Sequence, residues 1–248
     1  MEKFFKINIM LGIAVILFGC AGVHHKKPAH QKPKSHVVRK QLPVLNRKII
    51  HQEPVSSVQV FEKDANQGDA NAQYNLGMMY KDGLNGVPKD YVKAAEWFEK
   101  SAIQGNPYGQ TNLALMYEHG LGVTKDYVKA SEWYEKAAVQ GNNYAQDSIG
   151  LMYQKGLGIA QDYAKAMEWY QKAADHDYAT SQYHIGILYK DGLGVAQDYA
   201  KAVEWFEKAA KQGNKSAQTN LGHMYEKGLG VTKDYARSME WYRKAAGH

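Results

Sequence analysis

The stretch KDYVKAAEWFEKSA (residues 89–102) decides the fold, because the chain carries it five times with light editing. Trp97, Trp133, Trp169, Trp205 and Trp241 stand 36 residues apart and are all the tryptophans in the protein. A fixed period of this length marks an array in which each unit buries its apolar face against its neighbours. Within the stretch, Asp90 precedes an apolar stripe at helical spacing, Ala94, Trp97, Phe98 and Ala102. It therefore predicts an N-cap that accepts orphan N–H groups of a helix, helix B of the unit. Asp126, Asp162, Asp198 and Asp234 repeat the cap. Gly105, Gly141 and Gly213 suit the left-handed position that closes helix B, and Asn106, Asn142 and Asn214 follow at once as caps for a second helix, helix A. Pro107 takes its first position in the second copy.

Helix A carries fixed columns: Gln73/Gln110/Gln146/Gln182/Gln218, Leu76/Leu113/Ile149/Ile185/Leu221, Gly77/Ala114/Gly150/Gly186/Gly222 and Tyr80/Tyr117/Tyr153/Tyr189/Tyr225. Glycine inside a helix costs about 1 kcal/mol against alanine, so a small residue there in every copy predicts a close helix contact. The tryptophan column is expected in the core. Residues 60–68 align with 97–105 as a half-repeat, a lone helix B starting near Val55 that covers the first full unit. Full units run over about 69–105, 106–141, 142–177, 178–213 and 214–248, the first with one extra residue near Asn85. One junction departs from the pattern: His176-Asp177-Tyr178 replaces Gln-Gly-Asn, losing both the left-handed glycine and the cap, about 1–2 kcal/mol locally.

The motif LGxMYxxGLGVxxDYxKAxEWYxKAAxQG, running from Val60 onward, resembles the Sel1-like repeat, a relative of the tetratricopeptide repeat. The resemblance implies an all-α, right-handed superhelical solenoid of antiparallel helix pairs over residues 58–248, acting as an adaptor or scaffold, with helix A lining the concave side. Fixed columns then expect scaffold, and varying columns expect recognition. The varying ones are Tyr74/Thr111/Asp147/Tyr183/Thr219, then Met78/Leu115/Leu151/Ile187/His223 one turn on, then Lys81/Glu118/Gln154/Lys190/Glu226. Their i, i+4, i+7 spacing puts them on one face. An earlier column adds Tyr108 and Tyr144, tyrosine being favoured at interfaces. The expected partner-binding residues are Tyr74, Met78, Tyr108, Thr111, Leu115, Tyr144, Asp147, Leu151, Tyr183, Ile187, Thr219 and His223.

Residues 1–19 have the form of a leader, with Lys3 and Lys6 ahead of an apolar run over 7–18 that is too short to span a bilayer. Leu17-Phe18-Gly19-Cys20 resembles the lipobox of bacterial lipoproteins, in which the cysteine receives lipid, and Cys20 is the only cysteine in the chain. That resemblance implies an envelope lipoprotein of the outer membrane, facing the periplasm or cell surface. Residues 20–57 are rich in Lys, Arg, His and Pro and predict an extended basic tether. Ten of the 31 basic groups lie in residues 1–50, where Glu2 is the one acid, so residues 51–248 carry 21 basic and 24 acidic groups, a net of −3. The sequence pI near 9.0 thus belongs to leader and tether, and a nucleic-acid partner is not expected.

No Ser-x-x-Lys, Gly-x-Ser-x-Gly, Walker loop or His-Glu-x-x-His occurs, so no enzyme, metal or cofactor is expected. A peptidoglycan or carbohydrate binder, and an enzyme acting on cell-wall peptides or β-lactams, are the alternatives to a protein-binding scaffold. After Trp241 no further helix A follows, so a face centred on Met239, Tyr242 and Ala246 is expected to be exposed and to permit self-association.

Overall fold

The computed structural model describes residues 57–247; the leader, Cys20, the basic tether and Val55 lie outside the described residues. A half-repeat helix, α1 (Ser57–Asn66), leads five helix pairs. Helix A of each unit is α2 (Ala70–Asp82), α4 (Pro107–His119), α6 (Asn143–Lys155), α8 (Ala179–Asp191) and α10 (Lys215–Lys227). Helix B is α3 (Tyr91–Ile103), α5 (Tyr127–Val139), α7 (Tyr163–Ala174), α9 (Tyr199–Lys211) and α11 (Tyr235–Ala246). Every helix packs chiefly on the one before and the one after it, the nearest-neighbour order of a solenoid.

The helix ends follow the expected chemistry. Asp90 and Asp126 each accept from two backbone N–H groups of the helix they open, at 3.0–3.1 Å. Asn106, Asn142 and Asn214 cap helix A in the same way. Between the helices, the Asp cap's own N–H donates to the carbonyl of the fixed tyrosine, as in Asp126 to Tyr117 at 2.9 Å. The extra residue of the first unit leaves that anchor intact, since Asp90 still donates to Tyr80, and the slack is taken by Asn85 at φ +55°.

The core differs from the expectation in one respect. The tryptophans are not its centre: Trp97, Trp133, Trp205 and Trp241 are half-buried, and only Trp169 is buried. In each copy the lysine three residues on lies over the indole, 3.7–4.4 Å from its centroid. The fully buried column is the next residue, Phe98, Tyr134, Tyr170 and Phe206. Helix B inserts that ring against the small-residue column of helix A. A methyl added to Gly77, Gly186 or Gly150 would sit 2.6–2.7 Å from the ring of Phe98, Phe206 or Tyr170. The mid-helix glycine therefore makes room for an aromatic ring, and the ring's burial offsets its cost in helix propensity.

Units are joined through the fixed glutamines. Gln73, Gln110, Gln146 and Gln218 each donate Nε2 to an alanine carbonyl of the preceding helix, at 3.1 Å. Their Oε1 atoms are partnered from behind where helix B ends in glutamine, as in Gln104 to Gln73 and Gln140 to Gln110. The third unit ends in His176 instead, and the buried Oε1 of Gln146 has no partner among the described residues. At this junction Asp177 occupies the glycine position with φ +58°, and Tyr178 provides no side-chain cap.

The last helix is less covered than its equivalents. Met239 is 52 % exposed where Val203 is 5 % exposed, and Tyr242 is half-buried where Phe206 is fully buried.

Candidate binding face

The expected face resolves into columns that serve the array itself and columns that remain free. The varying column at Lys81/Glu118/Gln154/Lys190/Glu226 is set by the aromatic of the same unit. Where helix B carries tyrosine, its hydroxyl donates to Glu118 (2.8 Å from Tyr134), Gln154 (2.7 Å from Tyr170) or Glu226 (3.1 Å from Tyr242). Where helix B carries phenylalanine there is no hydroxyl to satisfy, and the position is Lys81 or Lys190, paired with its neighbour Asp82 or Asp191. Burial first, and then the Glu118 charge, holds the Tyr134 hydroxyl well above the usual phenol range; burial and then Asp147 do the same for Tyr170.

The column Tyr74/Thr111/Asp147/Tyr183/Thr219 follows the same alternation. Tyr74 and Tyr183 occur in the two phenylalanine units and lie against Phe98 and Phe206, with ring centroids 6.0 and 5.9 Å apart. Thr111 is buried and donates to the Pro107 carbonyl, and the exposed Thr219 donates to that of Lys215. Asp147, only 8 % exposed, accepts from the Ser181 hydroxyl at 2.6 Å and faces His184 Nδ1 at 3.0 Å. His184 in turn lies between the rings of Tyr170 and Tyr183, at 4.8 and 5.4 Å. This polar cluster ties α6 to α8, and both contacts converge on Oδ1 of Asp147, inside the array.

What remains facing outward is apolar and aromatic. Tyr108 and Tyr144 are 57 % and 42 % exposed, each touching an inner ring on one side, Tyr74 at 5.8 Å and Tyr134 at 6.4 Å. Between α4 and α6 they enclose a groove of 280 Å³ with Thr111, Leu115, Asn112 and Asn142. Four of the expected site residues, Tyr108, Thr111, Leu115 and Tyr144, are thus brought together. Met78, Leu151 and Ile187 continue the half-buried stripe in other units, and Thr219 and His223 stand exposed at the far end. Asn112, which sequence reasoning missed, donates to the Tyr108 carbonyl at 3.0 Å, as Asn220 does to that of Ser216 at 2.9 Å. Its column, Asn75/Asn112/Ser148/His184/Asn220, is polar in all five copies, a signal that was available in the sequence. No charged side chain lines the groove, so it suits apolar and aromatic groups flanked by amide hydrogen bonds.

Comparison with known proteins fits this architecture. The Sel1 repeat family matches residues 70–106, 107–142, 143–178, 179–214 and 215–247, one residue later than the unit boundaries read from the caps. The chain belongs to the Sel1 repeat family. Its Sel1 array is similar to a protective antigen of uropathogenic Escherichia coli strains displaying an SLR fold, with 40 % identity and a TM-score of 0.71 over 75 % of this chain; the chain spans 40 % of that protein's length. It is similar also to a Sel1 repeat protein from Oxalobacter formigenes, at 36 % identity and a TM-score of 0.71, covering 73 % of this chain and 72 % of that one. The immunity protein PA5088 from Pseudomonas aeruginosa shares 25 % identity with a TM-score of 0.52, over 77 % of this chain and 73 % of its own. No curated protein matches the chain.

Proposed function

We propose that this Sel1 array is a scaffold that binds a partner protein or peptide along its helix-A face, centred on the groove between α4 and α6. The observation that carries the reading is the pair Tyr108 and Tyr144. Each leaves about half of a large ring in water beside Leu115, although the other copies place asparagine, threonine or serine in the same column. An array needs only small or polar residues there, and aromatic area of this kind is what interface anchors use. The groove admits one or two apolar side chains of the partner, with the Asn112 and Asn142 amides at hand for its backbone. Lipid on Cys20 would hold this scaffold at a bacterial envelope membrane, a reading that rests on the lipobox resemblance of residues 17–20.

Photo-crosslinking from the groove in cells, comparing wild type with Tyr108→Ala/Tyr144→Ala and with a control on the other helices, Val128→Ala, tests the binding face. A partner that crosslinks to wild type and to the control, but not to the double variant, supports the reading; capture that is indifferent to both tyrosines refutes it. Incorporation of labelled palmitate that disappears with Cys20→Ala tests the anchor.

A further inference from the structure

A second cleft, of 670 Å³, opens between the ends of α7 and α9, on the side of the array made by helix B and at the one junction that departs from the repeat. Its rim carries Asp175 and Asp177, its wall is Trp205, and its floor is Gln182. At the other junctions the positions of the two aspartates hold Ile103, Val139 or Lys211 and Gly105, Gly141 or Gly213, so this pair of carboxylates is peculiar to this place. Asp177 keeps a left-handed backbone that its equivalents reach as glycines.

The floor supplies an independent observation. Gln182 is 2 % exposed, and its Oε1 accepts from Gln212 at 2.8 Å. Its four equivalents all donate Nε2 to an alanine carbonyl, yet among the described residues Gln182 makes no such bond to Ala174. That N–H is not among the buried side-chain atoms without a partner, so it keeps its small exposure to solvent, and Gln182 lines the cleft. The cleft therefore offers a donor at its base, two carboxylates at its mouth and an indole between them. Lys208 lies over that indole at 3.9 Å, and Asp175 takes one hydrogen bond from Gln171 at 2.7 Å, on Oδ1.

We propose that this cleft binds an arginine-bearing peptide segment of a protein partner. A peptide carbonyl accepts from Gln182 Nε2, and the guanidinium spans the Asp175 and Asp177 carboxylates. Arginine fits better than lysine because its planar fork meets two carboxylates at once. The site does not involve the groove between α4 and α6, so the two surfaces can be tested apart.

The test is a titration of the full-length chain with the blocked peptide Gly-Arg-Gly and with its citrulline counterpart, followed by the indole N–H signals of the five tryptophans, with Trp205→Phe identifying one of them. The arginine peptide should shift the Trp205 signal, and citrulline, which keeps the shape and loses the charge, should bind at least about tenfold more weakly. Asp177→Gly restores the residue of the other junctions; it should reduce arginine binding to the citrulline level while raising the melting temperature. Tyr144→Ala should leave the titration unchanged. An unmoved Trp205 signal at about 10 mM peptide, equal binding of the two peptides, or full binding by Asp177→Gly would each overturn the proposal.

Discussion

The alternation of tyrosine and phenylalanine in helix B yields a sharp test, because the array contains both solutions of one packing problem. In the second unit Tyr134 is fully buried and donates to Glu118 at 2.8 Å, while in the first unit Phe98 fills the same place and Lys81 stands where Glu118 does. Glu118→Lys alone removes the acceptor and leaves a buried phenol facing an ammonium group. Ser148 also reaches the phenol and offsets a part of the loss, so the expected cost is about 1–3 kcal/mol. Tyr134→Phe alone removes one hydrogen bond to a charged group, but Glu118 is half-buried and regains water, so the expected cost is about 1 kcal/mol. The double variant rebuilds the pair found in the first and fourth units. It should cost less than Glu118→Lys alone, giving a coupling of about 1–2 kcal/mol.

Denaturant midpoints at constant m-value measure this, with a corresponding shift of about 2–4 °C in melting temperature for each kcal/mol in an array of this size. If the two single changes simply add in the double variant, the columns vary independently and the hydroxyl does not govern position 118. Adding Thr111→Tyr to the double variant completes the set seen with Phe98, and should recover further stability by covering the new ring as Tyr74 covers Phe98.

Other expectations follow from the same packing. Phe206→Ala should lose about 3–5 kcal/mol, and Trp205→Ala less, because Phe206 is fully buried and Trp205 is half-buried under Lys208; equal losses in an equilibrium denaturation series would restore the tryptophans to the core. His176→Gln should stabilise the third unit by about 1 kcal/mol by giving the orphan Oε1 of Gln146 the donor that Gln73, Gln110 and Gln182 have, and an unchanged melting temperature would show that the oxygen is already satisfied. Tyr134 and Tyr170 hold their protons above the ordinary phenol value of 10.0, so above that pH the folded chain binds more protons than the unfolded one. Their stabilisation is complete below the unfolded value and is lost as pH climbs past it; a denaturation midpoint that does not fall on the alkaline side would contradict this.

Most of the fold was legible because each of its determinants is a residue type with one physical use at one register: Asp and Asn at caps, glycine at left-handed closures, a small residue where a ring must enter. Repetition multiplied every such signal by five. The misjudged element was the tryptophan. Composition alone makes it the largest apolar group in the unit, but Trp97 and Phe98 are successive residues about 100° apart on a helix, and only one of them can face the glycine column. The lysine at Lys100, one turn beyond Trp97, was the sign that the indole lies at the edge, since its stem covers the ring while its charge stays in water. The candidate face was legible in outline and misleading in detail. Two of its columns vary to satisfy partners inside the array, Glu118 for Tyr134 and Asp147 for Ser181, and a sequence reading treats internal covariation and external recognition alike.

Internal repeats give a way to separate the two kinds of variation. If a column changes in step with a second column that it touches, as position 118 does with position 134, the pair needs no ligand to explain it. Position 147 belongs in the same class once Ser181 and His184 are seen, since serine replaces the alanine or glycine of other copies only where an aspartate waits across the junction. Removing these columns leaves Tyr108 and Tyr144, whose copies elsewhere are Asn71, Thr180 and Ser216 and whose outer faces have no inner partner to follow. Variation without an internal correlate is what selection for an outside contact produces, and in this array it is concentrated between the second and third units. A partner recognised there should lose affinity with changes at Tyr108 and Tyr144, and be indifferent to Val128→Ala on the helix-B side.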